Sequence, residues 1–183
     1  MKVLNVGCGP AQEVQMFMRE HDCSDQAEFT LVDFDAESLE YVGRALSECK
    51  NRYARSTRYQ AHRWSVQQML RQSMKPVVNQ ADQQYNFIYS AGLFDYFPDT
   101  VCKSLLRHFY DLLAPGGVVL TTNVDNHSSR HEMEYFLDWH LLYRNTQAML
   151  GLVPPGIRVE DISVMREHSG INVFLEIRKP ERE

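Results

Sequence analysis

The sequence predicts an α/β domain built on a mainly parallel sheet, and two observations carry that prediction. Short apolar runs recur along the chain, each separated from the next by a stretch with apolar residues at helical spacing. The first of these runs also ends in a glycine turn, "VLNVGCGPA" (Val3 to Ala11), placed between a strand and a helix. That placement lets backbone approach a ligand closely, with a helix N-terminus aimed at it.

The elements follow in order. Lys2 to Val6 reads as a short buried strand, and Ala11 to Arg19 as a helix with Val14, Phe17 and Met18 on one face. Glu28 to Val32 is a second strand, closed by "DFD". Asp35 is placed to cap a helix carrying Leu39, Val42 and Leu46. Thr57 to Arg63 is a weaker third strand, after which Ser65 caps a helix with Met69 and Leu70. "YNFIYSAG" (Tyr85 to Gly92) is the fourth strand. A helix from Asp99 to Leu113 is expected to stop at "APGG" (Ala114 to Gly117), because proline and glycine end a helix. "VVLTTNV" (Val118 to Val124) is a β-branched fifth strand. A long amphipathic helix is expected over Arg130 to Leu150. Ile157 to Met165 and Ile171 to Arg178 then form a terminal hairpin around "REHSG".

With 183 residues, 44% of them hydrophobic and 11% aromatic, the chain has the material for one domain with one core. A formal charge of −5 with scattered signs argues against a nucleic-acid footprint, which needs a basic face. The basic stretch "KNRYARSTRY" (Lys50 to Tyr59) reads as a solvated helix end and loop. Cys8, Cys23, Cys49 and Cys102 are widely spaced and make no Cys-x-x-Cys pair, so they read as free thiols of a reducing, cytoplasmic protein. No apolar run approaches the ~20 residues of a membrane span.

The glycine turn, Gly7, Cys8, Gly9 and Pro10, is a weak signal by itself. The dinucleotide fingerprint wants a third glycine where Gln12 stands, which counts against NAD. Asp33, 24 residues beyond Gly9, falls at the carboxyl end of the second strand, where an acidic side chain can accept both hydroxyl protons of a ribose.

Four segments in order, "VLNVGCGPA", "FTLVDFD", "YNFIYSAGLFDYF" and "LLAPGGVVLTTNV", resemble the class I S-adenosylmethionine-dependent methyltransferases. The resemblance covers nearly the whole chain. It implies a Rossmann-like, doubly wound sheet of seven strands in the order three-two-one-four-five-seven-six, the seventh antiparallel. It also implies S-adenosyl-L-methionine as cofactor, with Gly7 and Gly9 under its methionine and ribose and Cys8 and Pro10 completing the turn. Asp33 would bind the ribose hydroxyls, and Phe34 would lie against the adenine. Trp64 and Ser65 would meet the adenine edge, and Ser90, Ala91 and Gly92 the methionine end and the methyl group. Ala11 stands where the family usually has a third glycine.

Methyl transfer is an in-line displacement, so alignment supplies much of the acceleration. A carboxylate acceptor needs no catalytic base, whereas a hydroxyl acceptor does. Methyltransferases of amide and base nitrogens typically carry an Asn/Asp-Pro-Pro-aromatic stretch after strand four. "SAGLF" stands there in this chain, which turns the expectation to a small or lipid-like oxygen acceptor. The segment from Asn123 to Leu150, with "DWHLLYR", is similar to bacterial methyltransferases of 3-hydroxy fatty acid methyl ester synthesis. That likeness implies Arg144 pairing with an acceptor carboxylate, with Trp139 and Tyr143 walling the pocket. The aromatic spacing from Tyr135 to Tyr143 equally allows these residues to pack on the sheet. Asp95 and Tyr96 are candidates for acid and base, or for loop capping. His127 and His131 are four apart, but no glutamate sits beside His127 and no third ligand is evident, so no metal is expected. Ser90 lacks the upstream glycine of a hydrolase elbow, Ile88 standing in its place.

Two other readings stay open, a nicotinamide-dependent oxidoreductase and a non-catalytic nucleoside- or partner-binding module. Relatives with this fold usually carry helices before strand one. The expectation is a single catalytic domain over 1–183 without that helical cover. Either the long helix near Trp139 takes over its role or, the favoured reading, the chain is a core piece of a longer protein.

Overall fold

A computed structural model of the chain describes residues 1–73, 84–127 and 130–181. Two compact units divide it, Met1–Tyr89 and Ser90–Glu183.

In unit 1, β1 (Lys2–Val6), β2 (Glu28–Asp33), β3 (Arg58–Arg63) and β4 (Tyr85–Ser90, its last residue opening unit 2) are parallel strands. They alternate with α1 (Gln12–Glu20), α2 (Ala36–Tyr53) and α3 (Val66–Ser73). The apolar periodicity has a physical destination. Val14 and Met18 of α1 and Val42 and Leu46 of α2 are buried against Val3, Phe29 and Leu31 of the strands. Asp35 caps α2 as its position suggests, accepting from the backbone N–H of Glu37 (3.3 Å) and Ser38 (3.0 Å). Ser65 and Gln68 form a reciprocal capping box at α3. Ser65 N–H donates to Gln68 Oε1 (2.8 Å) and Gln68 N–H to Ser65 Oγ (3.3 Å).

In unit 2, α4 (Asp99–Leu112) buries Cys102, Leu105, Leu106 and Phe109. β5 (Leu113–Val124) pairs antiparallel with β7 (Asn172–Arg178), which pairs antiparallel with β6 (Ile162–Arg166). The seven strands run in the order β3-β2-β1-β4-β5-β7-β6, the doubly wound α/β order with an antiparallel terminal hairpin.

Three boundaries differ from the sequence reading. "APGG" belongs to β5, because Lys179, just beyond β7, holds it. Gly116 N–H donates to Lys179 O (2.9 Å), and Lys179 N–H donates to Gly117 O (2.8 Å). The first strand of the hairpin starts at Ile162, after a 3-10 turn over Val159–Asp161. The long helix over Arg130 to Leu150 is two short ones, α5 (Arg130–Leu137) and α6 (Thr146–Leu150). Tertiary bonds break it. Leu142 N–H donates to Asp95 O (2.7 Å) and Arg144 N–H to Val124 O (3.0 Å), so neither is available to a helical carbonyl. Asp138, at φ 49°, turns the chain out of α5. Residues 128 and 129, directly before α5, lie outside the described ones.

Ala54 ends α2 in the left-handed region (φ 50°), where a Cβ crowds the backbone and glycine does not. Ala54 is exposed, so its methyl contributes little packing. Ala54→Gly is expected to stabilise the protein by about 0.5–1 kcal/mol, a rise in Tm on the order of 2 °C in thermal unfolding.

Candidate cofactor and acceptor site

In unit 1 the glycine turn is shaped by its backbone. Gly7 (φ 72°) and Gly9 (φ 48°) both take left-handed conformations. The N–H groups of Gly7 and Cys8 donate to Val32 O (2.8 and 3.1 Å), which ties the turn to the end of β2. Asp33 follows and is almost buried, at 8% exposure. Its Oδ2 accepts from Gly9 N–H (2.8 Å) and its Oδ1 from Asp35 N–H (3.0 Å). Each oxygen keeps a second lone pair. A Cβ built on Gly9 would meet nothing within 4 Å, so the space over the turn is open. An oriented carboxylate beside an open glycine turn fits a ribose.

The neighbours of Asp33 extend this surface. The Phe34 ring is 69% exposed. Trp64 N–H donates to Asp33 O (2.9 Å), and its indole stacks on His62 with centroids 5.2 Å apart. The Ser65 hydroxyl is engaged as the α3 cap. Pro10 O accepts from the Gln15 side chain (2.7 Å), which fastens the turn to α1. Ala11 takes φ 44° at the start of α1, the third left-handed residue of the turn and the one where the family's glycine is missing. Burial, with Asp33 and Glu13 nearby, pushes the Cys8 thiol up to about 12. At neutral pH it is a thiol and no nucleophile.

One network in unit 1 escaped the sequence reading. Asn5, in the middle of β1 and 2% exposed, donates through Nδ2 to Glu13 Oε1 (2.9 Å) and to Tyr89 Oη (2.9 Å). Tyr89 Oη donates to Glu13 Oε1 (2.6 Å). Burial and the Glu13 carboxylate raise the Tyr89 phenol well above its usual range, so it stays a donor. The legible signal was one polar residue inside "VLNV".

In unit 2, Ser90 is buried, and Gly92 (φ 81°) donates its N–H to Thr122 Oγ1 (2.9 Å). Ala91 lies exposed between them. Asp95, in a 3-10 turn over Phe94–Tyr96, is 4% exposed. Its Oδ1 accepts from Val124 N–H (2.7 Å), while Oδ2 stands 3.9 Å from the place a Cβ on Gly92 would occupy. Burial pushes the Asp95 carboxyl up to about 6, against the Val124 N–H and the Arg144 charge, which lower it. A carboxylate with that value can exchange a proton near neutral pH. Tyr96 Oη accepts from Trp139 Nε1 (2.9 Å).

Arg144 stands differently from the clamp expected of it. It is 4% exposed, and all its donors are taken within the chain. Nε and Nη2 donate to Asp99 Oδ1 (2.9 and 2.8 Å), Nη1 to Phe94 O (2.8 Å) and Asn123 Oδ1 (2.7 Å), and Nη2 also to Phe97 O (2.6 Å). Five N–H groups make five bonds, which leaves none for an acceptor carboxylate. Most of the aromatic run faces solvent, with Tyr135 84% and Phe136 76% exposed and Trp139 and Leu142 exposed as well, whereas Tyr143 is half-buried.

Against known proteins, a family profile described as a methyltransferase domain matches residues 1–168. No curated protein matches the chain. Solved structures do, at low identity. A "possible exported protein" from Bordetella parapertussis is 18% identical with a TM-score of 0.72, over 98% of this chain and 61% of its own. The S-adenosylmethionine-dependent methyltransferase SibL is 18% identical with a TM-score of 0.68, over 98% of this chain and 50% of its own. Magnesium protoporphyrin IX methyltransferase from Synechocystis PCC 6803, with bound S-adenosylhomocysteine, is 8% identical with a TM-score of 0.61, over 97% of this chain and 73% of its own. The chain thus spans about half to three fifths of the length of the first two. Among the described residues, no helix is long and apolar enough to cross a membrane. The profile, matched over most of the chain, and the strand order agree: the chain belongs to the methyltransferase domain family.

Proposed function

We infer that the protein transfers a methyl group from S-adenosyl-L-methionine to an oxygen of a small or fatty-acid-like acceptor. The cofactor supplies a methyl group on a positively charged sulfur, open to displacement by the acceptor oxygen. Asp33 holds the ribose hydroxyls, with Phe34, Trp64 and Ser65 around the adenine. The Gly7–Pro10 turn takes the ribose and methionine, and Ser90, Ala91 and Gly92 the methionine end.

The observation that carries the oxygen chemistry is Asp95. A buried carboxylate pushed up to about 6 is suited to take the proton of an acceptor hydroxyl as the oxygen attacks. Tyr96, tied to Trp139, positions the adjoining wall. A second reading, esterification of a fatty-acid carboxylate, draws on the likeness to 3-hydroxy fatty acid methyl ester enzymes and needs no base. The four cysteines, all unpaired, support a cytoplasmic setting.

Calorimetry tests the cofactor half. S-adenosylhomocysteine is expected to bind and NADH not to. Asp33→Asn, which keeps the shape and loses the charge, is expected to weaken S-adenosylhomocysteine about 10- to 100-fold, since hydrogen bonds to a charged group contribute about 1.5–3 kcal/mol. Unchanged affinity in that variant would remove Asp33 from the site. Binding of NADH instead would restore the oxidoreductase.

A further inference from the structure

Among the described residues, three buried side-chain polar atoms have no hydrogen-bond partner: Thr121 Oγ1, His127 Nε2 and Tyr143 Oη. Each such atom costs about 1–3 kcal/mol, and native chains keep few of them. Two of the three belong together. The rings of His127 and Tyr143 meet edge to face with centroids 6.1 Å apart, and the Arg130 guanidinium lies 4.6 Å above the centre of the Tyr143 ring.

Hydrogen bonds hold the chain before His127 and on both sides of Tyr143. Two residues before His127, Asp125 donates its N–H to Ile171 O (2.7 Å) and pairs its carboxylate with Arg166. On either side of Tyr143, the N–H groups of Leu142 and Arg144 are bonded to Asp95 O and Val124 O. Asn123 Nδ2 also donates to Leu142 O (2.8 Å). The fold therefore fixes two polar tips beside a cation and leaves both unbonded.

The donor set points to one kind of ligand. A phenol hydroxyl, an imidazole with its proton on Nε2 and a nearby guanidinium complement an anion. The negative charges of Glu134, bonded to Arg130 Nε (2.7 Å), and of Asp95 both act on Tyr143. They repel a dianion such as phosphate more strongly than a monoanion, so a ligand with a single negative charge suits the site better than phosphate. We propose that His127 and Tyr143 hold the carboxylate of an organic acid and that this acid is the methyl acceptor. The assignment rests on the methyl-transfer reading above and narrows it to acidic acceptors.

Entry requires α5 to move aside, since its first residue, Arg130, lies over Tyr143. Among the described side chains of α5, Tyr135, Phe136 and Leu137 face solvent. On this proposal the apolar body of the acid lies along the open groove of about 530 Å³ lined by Tyr135, Phe136, His131, Glu134 and His140.

The test uses two probes with the same ten-carbon body, decanoate and methyl decanoate, titrated calorimetrically into the 183-residue protein with S-adenosylhomocysteine present. Decanoate is expected to bind at least 10-fold more tightly than its ester. Tyr143→Phe and His127→Leu are each expected to bring the acid's affinity down to about that of the ester. Tyr143→Phe should not lower the urea midpoint, because it removes only an unbonded atom, and His127→Leu should lower it by no more than the loss of its ring contact with Tyr143. Equal affinity of acid and ester, or wild-type acid binding in both variants, would overturn the subsite. So would a clear loss of stability in both, which would show the two atoms to be structural. The arms separate from the parent reading: selective decanoate binding without S-adenosylhomocysteine binding would refute the methyl donor and leave the carboxylate subsite standing.

Discussion

Replacing Arg144 with methionine is expected to destabilise the protein by about 3–5 kcal/mol, the range seen when one partner of a buried ionic network is removed. Total stabilities are about 5–15 kcal/mol, so the variant should be marginal or unfolded at 37 °C. The ion pair itself is the smaller part, because Asp99 is 61% exposed and water screens it. The larger part lies in the carbonyls of Phe94 and Phe97 and in Asn123 Oδ1, which lose their donors. Lysine should not rescue the variant, since a single ammonium cannot reproduce a planar fork with five N–H groups. Urea unfolding measures the effect through the midpoint at constant slope. An Arg144→Met protein with the wild-type midpoint and only a raised KM for an acidic acceptor would return Arg144 to the role of a clamp.

Asp95→Asn is expected to separate activity from stability. If the acceptor oxygen is a hydroxyl, losing the base should lower kcat by about 10²–10⁴-fold, with S-adenosylhomocysteine affinity unchanged. Stability at pH 7 should hold or rise, because asparagine Oδ1 can still accept from Val124 N–H while the desolvated charge is gone. The pH dependence follows from the direction of the shift. The Asp95 carboxyl lies at about 6 in the folded chain and at its ordinary 3.8 when unfolded. Between those values the folded state keeps a proton that the unfolded state has released, so this group's contribution to stability is complete below pH 3.8 and is lost as pH rises through 6. At neutral pH the gap amounts to on the order of 3 kcal/mol. Activity should run the other way, rising as Asp95 ionises near pH 6. Opposite slopes in wild type, both flattened in Asp95→Asn, identify Asp95 as the base. Undiminished turnover in that variant would favour the carboxylate acceptor of the second reading.

The candidate site was legible in the sequence wherever its chemistry is local. The Gly7–Pro10 turn and Asp33 lie at strand ends, and a strand end followed by a capped helix can be read from a few consecutive residues. Asp35 and Ser65 cap their helices because an oxygen-bearing side chain two or three residues from an N–H satisfies it without help from the rest of the fold. The alternation of apolar strands with periodic helices gave the fold class for the same reason, since each element buries the face its own spacing defines.

The Asn123 to Leu150 segment behaves otherwise. Its aromatic spacing is helical, yet Asp95 O and Val124 O take the N–H groups a helix would use, and Arg144 turns inward to bond four residues distant in sequence. From sequence, Arg144 was indistinguishable from a surface arginine, and Asp95 from any loop aspartate. What the sequence by itself determined is the order of strands and helices, the glycine turn and the aspartate that follows the second strand, all set by period and spacing over short distances. Only the tertiary structure decided which arginine is buried, which carboxylate is raised and which polar tips are left unbonded. Burial and long-range hydrogen bonds, which no local pattern encodes, settle those three.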